Sequence, residues 1–198
     1  VYPLFAQALR REEKKTAATH LDECSALFSE FSKIASKNPY SWFPSYRSAT
    51  EIAQETSNNR MVGFPYTKYL NSVIRVNMAS AFILMSQAKA NELGVVESKR
   101  VYVHGCSILN DIWNVTERPD FHSSPAIKTC VNQSLDQAEI SLSDIKHFDL
   151  YSCFPSAVQI AKKELAIPEE KKDLTVTGGL PYFGGPGNSY TMFSTVSY

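Results

Sequence analysis

Residues 147–167 read HFDLYSCFPSAVQIAKKELAI, and after a short polar stretch residues 174–179 read LTVTGG. The first eight residues form a short aromatic and apolar run, which is typical of a buried strand. Pro155 suits the first turn of a helix, and LTVTGG indicates a further strand. The order strand, helix, strand predicts neighbouring parallel strands joined by a right-handed crossover.

The same order extends toward the amino terminus. RVYVHGCSI (100–108) predicts a strand, and SSPAIKTCVNQSLDQA (123–138) predicts a helix with Ser124 as N-cap and Pro125 in its first turn. We therefore expect an α/β fold in which residues 76–198 form a mainly parallel βαβαβ half-domain.

Residues 1–75 lack this alternation. Apolar residues at helical spacing predict a helix from Thr19 to about Asn38, with Thr19 as N-cap and Pro39 as its stop. SATE (48–51) has capping-box spacing and predicts a second, short helix. We expect a helix-rich subdomain here.

At the start of the second part, NMASAFILMSQAKANELG (77–94) is apolar on almost every side. A helix of this composition must be buried. Gly94 is its expected C′ residue, because glycine adopts the left-handed conformation that ends many helices.

Glycine is concentrated in TVTGGLPYFGGPGNSY (175–190), which holds five of the eight glycines in the chain. Glycine permits positive φ and lets another group approach the backbone closely. The stretch follows a predicted strand, and ligands bind beyond the carboxyl ends of parallel strands. A tight corner and a backbone cradle for a ligand both remain open on this composition.

Composition limits the function classes. Lys plus Arg and Asp plus Glu both number 20, and no basic run stands out, so nucleic acid is disfavoured as a partner. We expect a soluble protein without a leader peptide or membrane span. Four widely spaced cysteines and four histidines form no metal-ligand motif, and reduced thiols are expected in the cytoplasm or an organelle matrix.

Four motifs together resemble the thiolases, especially the thiolase-like acetyl-CoA acetyltransferases related to the sterol-carrier-protein thiolase. YPLFAQALRR (2–11) looks like the helix that leads into their loop domain, and NRMVGFPYTKYLNSVIRVNMASAF (59–82) looks like the stretch ending in Asp-Gly-Ala-Ala-Ala. FDLYSCFP (148–155) lies where thiolases carry Asn-Glu-Ala-Phe or His-Asp-Ala-Phe. TGGLPYFGGPGNSY (177–190) lies where they carry a double glycine followed by Gly-His-Pro.

This resemblance implies acyl transfer to or from coenzyme A in lipid metabolism, through a cysteine thioester in a ping-pong mechanism. The family's nucleophile precedes the loop domain, and its acid/base cysteine follows the Gly-His-Pro region, so the resemblance places both outside this segment. The segment looks like a loop subdomain at 1–75 and an incomplete carboxyl-terminal half-domain at 76–198. The resemblance implies an acyl-CoA thioester as substrate and no permanently bound cofactor. It also implies a homodimer or tetramer and a possible partner subunit.

The resemblance also suggests the site residues. Tyr151 and Ser152 align with the His-Asp pair, Gly185 with the histidine of Gly-His-Pro, and Asn77 with the aspartate of Asp-Gly-Ala-Ala-Ala. Since Gly185 has only a backbone N–H to offer a thioester oxygen, we expect loop amides to face the substrate. Gly185→Val should then abolish acyl transfer with little loss of fold. The predicted catalytic residues are Tyr151, Ser152, Gly184 and Gly185, and the predicted substrate-binding residues are Gly178, Gly179, Tyr182, Phe183 and Asn77.

Other interpretations accompany this one. A catalytically silent homologue that binds acyl-CoA or scaffolds a partner enzyme accounts for the lost histidine. A hydrolase using Ser152 or Cys153 is weaker, because no base has a motif around it. Lys68, Arg60 and Arg75 could meet the phosphates of coenzyme A, although solvated surface roles are the default for each.

Overall fold

Side-chain hydroxyls cap the start of three helices in the computed structural model, which describes residues 1–197. The Thr16 hydroxyl accepts a hydrogen bond from Thr19 N (3.1 Å) at the start of the longest helix, and the Ser48 hydroxyl accepts from Glu51 N in the same way. The expected helix therefore starts one turn earlier than predicted, because Thr16 rather than Thr19 is its cap. The helices are α1 (Tyr2–Glu12), α2 (Ala17–Ala35), α3 (Ala49–Ala53), α4 (Gln87–Glu92), α5 (Pro125–Ala138), α6 (Pro155–Glu164) and α7 (Tyr190–Val196).

One hydrophobic core joins the two ends of the chain. It lies where α2 packs against α3 and α6, with Phe28 and Phe31 of α2 fully buried. Tyr182, from the glycine-rich stretch, packs edge-on against Phe28 with ring centroids 6.3 Å apart. The same core thus contains residues from both predicted subdomains, and the boundary at residue 75 stays a prediction.

Regular β structure is limited to one small hairpin among the described residues. Strands β1 (Met61–Gly63) and β2 (Tyr66–Thr67) pair antiparallel. The prediction of three strands in a mainly parallel sheet was wrong for the described structure, although helices α5 and α6 lie where expected. The reason is that the segments lack continuous partners: Leu150 N donates to Leu174 O (2.9 Å), but a single bond is not a ladder.

The apolar run at 77–94 also differs from its prediction. Only Gln87–Glu92 is helical, with the Ser86 hydroxyl capping it, while Phe82, Ile83 and Leu84 are exposed outside any helix. A helix apolar on every side is stable only when other elements cover it, and the described residues do not cover this one. Gly94 is confirmed as the C′ residue, directly after the C-cap Leu93, with φ of +66°.

Burial is very uneven along the chain. Between residues 71 and 151 only Ala90 and Ser124 are buried, although half-buried apolar residues of this segment, such as Ile127 and Leu150, pack against the core formed by the segments on either side. Helix α5 buries none of its residues. The middle of the chain therefore has no hydrophobic core of its own.

Candidate functional site

The glycine-rich loop is pressed against helix α2. Gly178 has φ of +111°, and a Cβ there would lie 2.4 Å from the Ala35 Cβ. Gly179 has φ of +78°, and a Cβ there would lie 2.8 Å from the Ser152 Oγ. Both positions require glycine because of conformation and space together. Close approach of the chain to itself, rather than to a ligand, explains these two glycines.

The amides of the loop are directed into the protein. Gly178 N donates to Thr175 Oγ1 (3.1 Å), Gly179 N to Thr177 Oγ1 (3.2 Å) and Leu180 N to Ser152 Oγ (3.1 Å). Gly185 N donates to the carbonyl of Val73 (2.8 Å). The expectation that the Gly185 amide faces a thioester was therefore wrong, because a backbone carbonyl already occupies that donor.

The carboxylate of Asp149 stabilises the glycine-rich loop. Asp149 accepts hydrogen bonds from Thr175 Oγ1 (2.7 Å), Val176 N (3.0 Å) and Tyr190 OH (3.4 Å), and also from the Ser194 hydroxyl. Burial, followed by the nearby Asp149 charge, raises the pKa of Tyr190, so this phenol remains a hydrogen-bond donor. The network ties the segment before α6, the glycine-rich loop and α7 into one unit.

The side chains of Tyr151 and Ser152, which were predicted to act together, lie in different environments. Ser152 is fully buried, and its hydroxyl accepts the Leu180 amide. Tyr151 is 52% exposed and packs edge-on against Tyr190. Burial, and then the adjacent Cys153, raise the pKa of Tyr151. Of the two hydroxyls, only that of Tyr151 belongs to a side chain with substantial solvent exposure.

The remaining predicted residues fall into two environments. Tyr182 is buried, and its hydroxyl donates to Tyr69 O (3.0 Å). Gly184 has φ of +127° and approaches Met78 so closely that a Cβ would lie 2.6 Å from its Sδ. Asn77, the neighbour of Met78, is exposed. The loop thus contacts the stretch that contains Asn77, while Tyr182 is a core residue.

The buried thiols are poor nucleophiles in this structure. Burial raises the pKa of Cys153, although a hydrogen bond with Tyr2 opposes the shift. Burial also raises the pKa of Cys24, which lies in the core. A thiol that stays protonated neither attacks a thioester nor is readily alkylated.

An open groove of about 600 Å³, lined by apolar and polar residues, lies beside the loop. Val176, Phe183 and Phe193 line it, and Lys37 is the one charged residue among its lining in the described structure. Ser80 also lines the groove, and its buried hydroxyl has no partner among the described residues. This groove was not anticipated, because its lining comes from four distant parts of the sequence: Ile34 to Tyr40, Ala79 to Ala81, Val176 with Phe183, and Phe193 to Ser197.

Comparison with known proteins found similar solved structures. No protein-family model matches the chain, and no curated protein matches it. A solved structure described as a monomeric SCP2-thiolase like protein type 1 (STLP1) from Mycobacterium smegmatis is 36% identical over 99% of this chain, with a TM-score of 0.88. The chain is related to the SCP2-thiolase-like proteins.

This thiolase-like chain spans 44% of the length of the structure it matches. The likeness supports a thiolase-like α/β fold, to which the described residues contribute their helices and one small hairpin. Because the M. smegmatis protein is described as monomeric, the likeness gives no support to the expected homodimer or tetramer.

Three basic residues were considered for phosphate binding, namely Arg60, Lys68 and Arg75. All three are exposed, and none of them lines the groove. Within residues 1–197, no three His, Cys, Asp or Glu side chains are grouped to hold a metal ion. None of the described helices is long and apolar enough to cross a bilayer.

Proposed function

We propose that the chain is the acyl-CoA-binding part of a thiolase-like protein, and that its own residues bind the acyl thioester without forming a covalent intermediate. The observation that carries the proposal is the groove beside the glycine-rich loop, which combines the apolar residues Val176, Phe183 and Phe193 with polar side chains and a single lysine. Apolar residues combined with polar groups are typical of small-molecule sites. An acyl chain suits the apolar residues, and Lys37 suits an anionic group of the coenzyme.

The directions of the loop amides support binding rather than transfer by these residues. An oxyanion site needs donors aimed at the reacting oxygen. Here the amides of Gly178, Gly179, Leu180 and Gly185 all donate within the protein. The raised pKa of the buried Cys153 thiol also favours binding over transfer, because a protonated thiol is a poor nucleophile.

Acyl transfer through a cysteine outside residues 1–198 is the second candidate. The position of Tyr151 favours it, because this residue stands at the thiolase-like motif, is half exposed and keeps its proton. A protonated phenol can donate a hydrogen bond to an acyl oxygen. A hydrolase using Ser152 has no comparable support, since that hydroxyl is buried against Leu180 N.

Calorimetric titration with octanoyl-CoA and with free coenzyme A tests the proposal. Val196→Asp places a charge in the lining of the groove at a side chain that is 43% exposed, so the fold should tolerate it. We expect octanoyl-CoA to bind more tightly than coenzyme A, and Val196→Asp to weaken octanoyl-CoA binding about tenfold, which equals about 1.4 kcal/mol.

The matched control is Val62→Asp, at a side chain of similar exposure (49%) outside the groove. It should leave octanoyl-CoA binding unchanged. Lys37→Ala should weaken octanoyl-CoA and coenzyme A alike, whereas Lys33→Ala, on the preceding helix α2, should not. Absence of octanoyl-CoA binding, or equal losses in Val196→Asp and Val62→Asp, would refute the site.

A further inference from the structure

A second groove, here called the lysine groove, lies between α2, α6 and the segment that follows α6. Its volume is about 900 Å³, and it shares no lining residue with the groove beside the glycine-rich loop. Three glutamates and five lysines line it, the lysines being Lys15, Lys162, Lys163, Lys171 and Lys172. The chain as a whole has equal numbers of basic and acidic residues, so this groove concentrates positive charge locally.

Two of these lysines hold the walls of the lysine groove in place. Lys15 Nζ lies 2.9 Å from Glu13 Oε2 and 2.6 Å from Glu23 Oε2. Lys162 Nζ donates to the carbonyl and to the carboxylate of Glu169, at 3.0 Å each, and its side chain is only 14% exposed. Because these contacts fix both walls, the groove is formed before a ligand arrives, and binding costs less ordering.

Two other lysines are free to meet a ligand. Lys163 in the last turn of α6 and Lys172 in the following segment are exposed, and neither makes an ion pair within residues 1–197. Lys171 pairs with Asp173 (3.0 Å). The three glutamates of the lining, by contrast, all pair with a lysine. The unbalanced charge of the lysine groove is therefore that of Lys163 and Lys172.

Apolar residues line the same groove. Leu27 of α2 packs against the hydrophobic core, and Ile167 belongs to that core at 5% exposure. Ala26 and Pro168 lie beside them in the lining and are exposed. Apolar residues next to unpaired cations suit a ligand that carries carboxylates and apolar side chains together.

We infer that the lysine groove docks an amphipathic acidic segment of a partner polypeptide, whose carboxylates meet Lys163 and Lys172 and whose apolar side chains meet Leu27 and Ile167. Charge complementarity selects this occupant. Nucleic acids and anionic membranes present many negative charges close together, and they call for larger clusters of free cations than these two lysines. The lysine groove is independent of the proposed acyl-CoA site, and either can fail without the other.

Fluorescence anisotropy with the purified full-length protein tests this docking site. Three labelled peptides of about ten residues serve as probes, in which leucine recurs at every second, third or fourth position among glutamates, as a docked strand or helix would require. Each has a neutral counterpart with glutamine in place of glutamate. We expect at least one acidic peptide to bind, and its neutral counterpart to bind at least about tenfold more weakly. Added NaCl should weaken the acidic peptide, because salt screens exposed charges.

Charge-reversal variants locate the contact. The double variant Lys163→Glu with Lys172→Glu should weaken the acidic peptide at least about tenfold, and the fold should tolerate it because both side chains are exposed and unpaired. The matched control is Lys99→Glu with Lys128→Glu. These lysines are also exposed, make no ion pair within residues 1–197 and lie outside the groove, so the control changes the net charge equally. It should leave the affinity within about twofold.

A second pair of variants tests the other wall. Ala26→Glu places a carboxylate in the groove at an exposed position of α2 and should weaken the acidic peptide, whereas Ala18→Glu, exposed on α2 outside the groove, should not. Failure of every acidic peptide to bind, or equal affinity of the neutral counterparts, would overturn the inference. Equal losses in the two double variants would overturn it too, by reducing the binding to general attraction between charges. Sedimentation with phosphatidylserine vesicles that is lost in the Lys163 and Lys172 double variant, while no peptide binds, would assign these lysines to a membrane instead.

Discussion

Gly178→Ala tests whether the glycine-rich loop is held by close contact with α2. The added Cβ would lie 2.4 Å from the Ala35 Cβ and 2.5 Å from its Cα, which is part of the helix backbone and cannot rotate away. Overpacking of this kind costs about 1–3 kcal/mol. Forcing a residue with a side chain to keep φ of +111° adds about 1–3 kcal/mol.

The two costs together predict a loss of about 2–6 kcal/mol in the free energy of unfolding, measured by urea denaturation followed by circular dichroism. Gly187→Ala is the matched control, since Gly187 also has positive φ (+61°) but has no atom within 4 Å of an added Cβ. It should cost only the left-handed strain, about 1–2 kcal/mol. Equal losses in the two variants would refute the argument that contact with α2 dictates the glycine.

Three further predictions concern the groups around the loop. Asp149→Asn should lower the free energy of unfolding by about 1–3 kcal/mol, because an amide nitrogen cannot accept the hydrogen bonds that a carboxylate oxygen accepts. The control Asp173→Asn, at the surface, should be nearly neutral. Equal losses for the two variants in urea titrations would contradict this prediction. Burial lowers the pKa of His20 from 6.5, so the unfolded chain binds the proton first and stability is lost as the pH falls below 6.5. The stability difference between wild type and His20→Gln should therefore fall by at most about 1.4 kcal/mol per pH unit there, and a pH-independent difference would disprove the assignment. Iodoacetamide should label the exposed Cys106 under native conditions well before the buried Cys153, as peptide mass mapping would show, and the reverse order would mean that Cys153 is an accessible thiolate.

The helices were largely predictable because their signals are local. A hydroxyl three residues before an amide caps α2 and α3, and a proline at the first turn begins α5 and α6. The thiolase-like resemblance was also found from short motifs, and the likeness to a solved structure confirms it. Such features depend on residues close together in the sequence.

The sheet and the site were harder, because they depend on partners far away in the chain. The composition of RVYVHGCSI is that of a strand, yet a strand exists only where a neighbour completes its ladder, and the described residues do not provide one. The double glycine signalled a special backbone, but not whether a ligand or Ala35 approaches it. The acidic residue in the apolar run FDLYSCF was the available sign of the Asp149 network, since a carboxylate there needs hydrogen-bond donors.

Mass spectrometry of the purified protein with octanoyl-CoA, recorded first under native and then under denaturing conditions, tests the central claim most directly. We predict a complex with the intact thioester under native conditions and an unmodified segment, residues 1–198, after denaturation. An octanoyl group that stays bound to this segment after denaturation would contradict non-covalent binding, and absence of the native complex would contradict the acyl-CoA site itself.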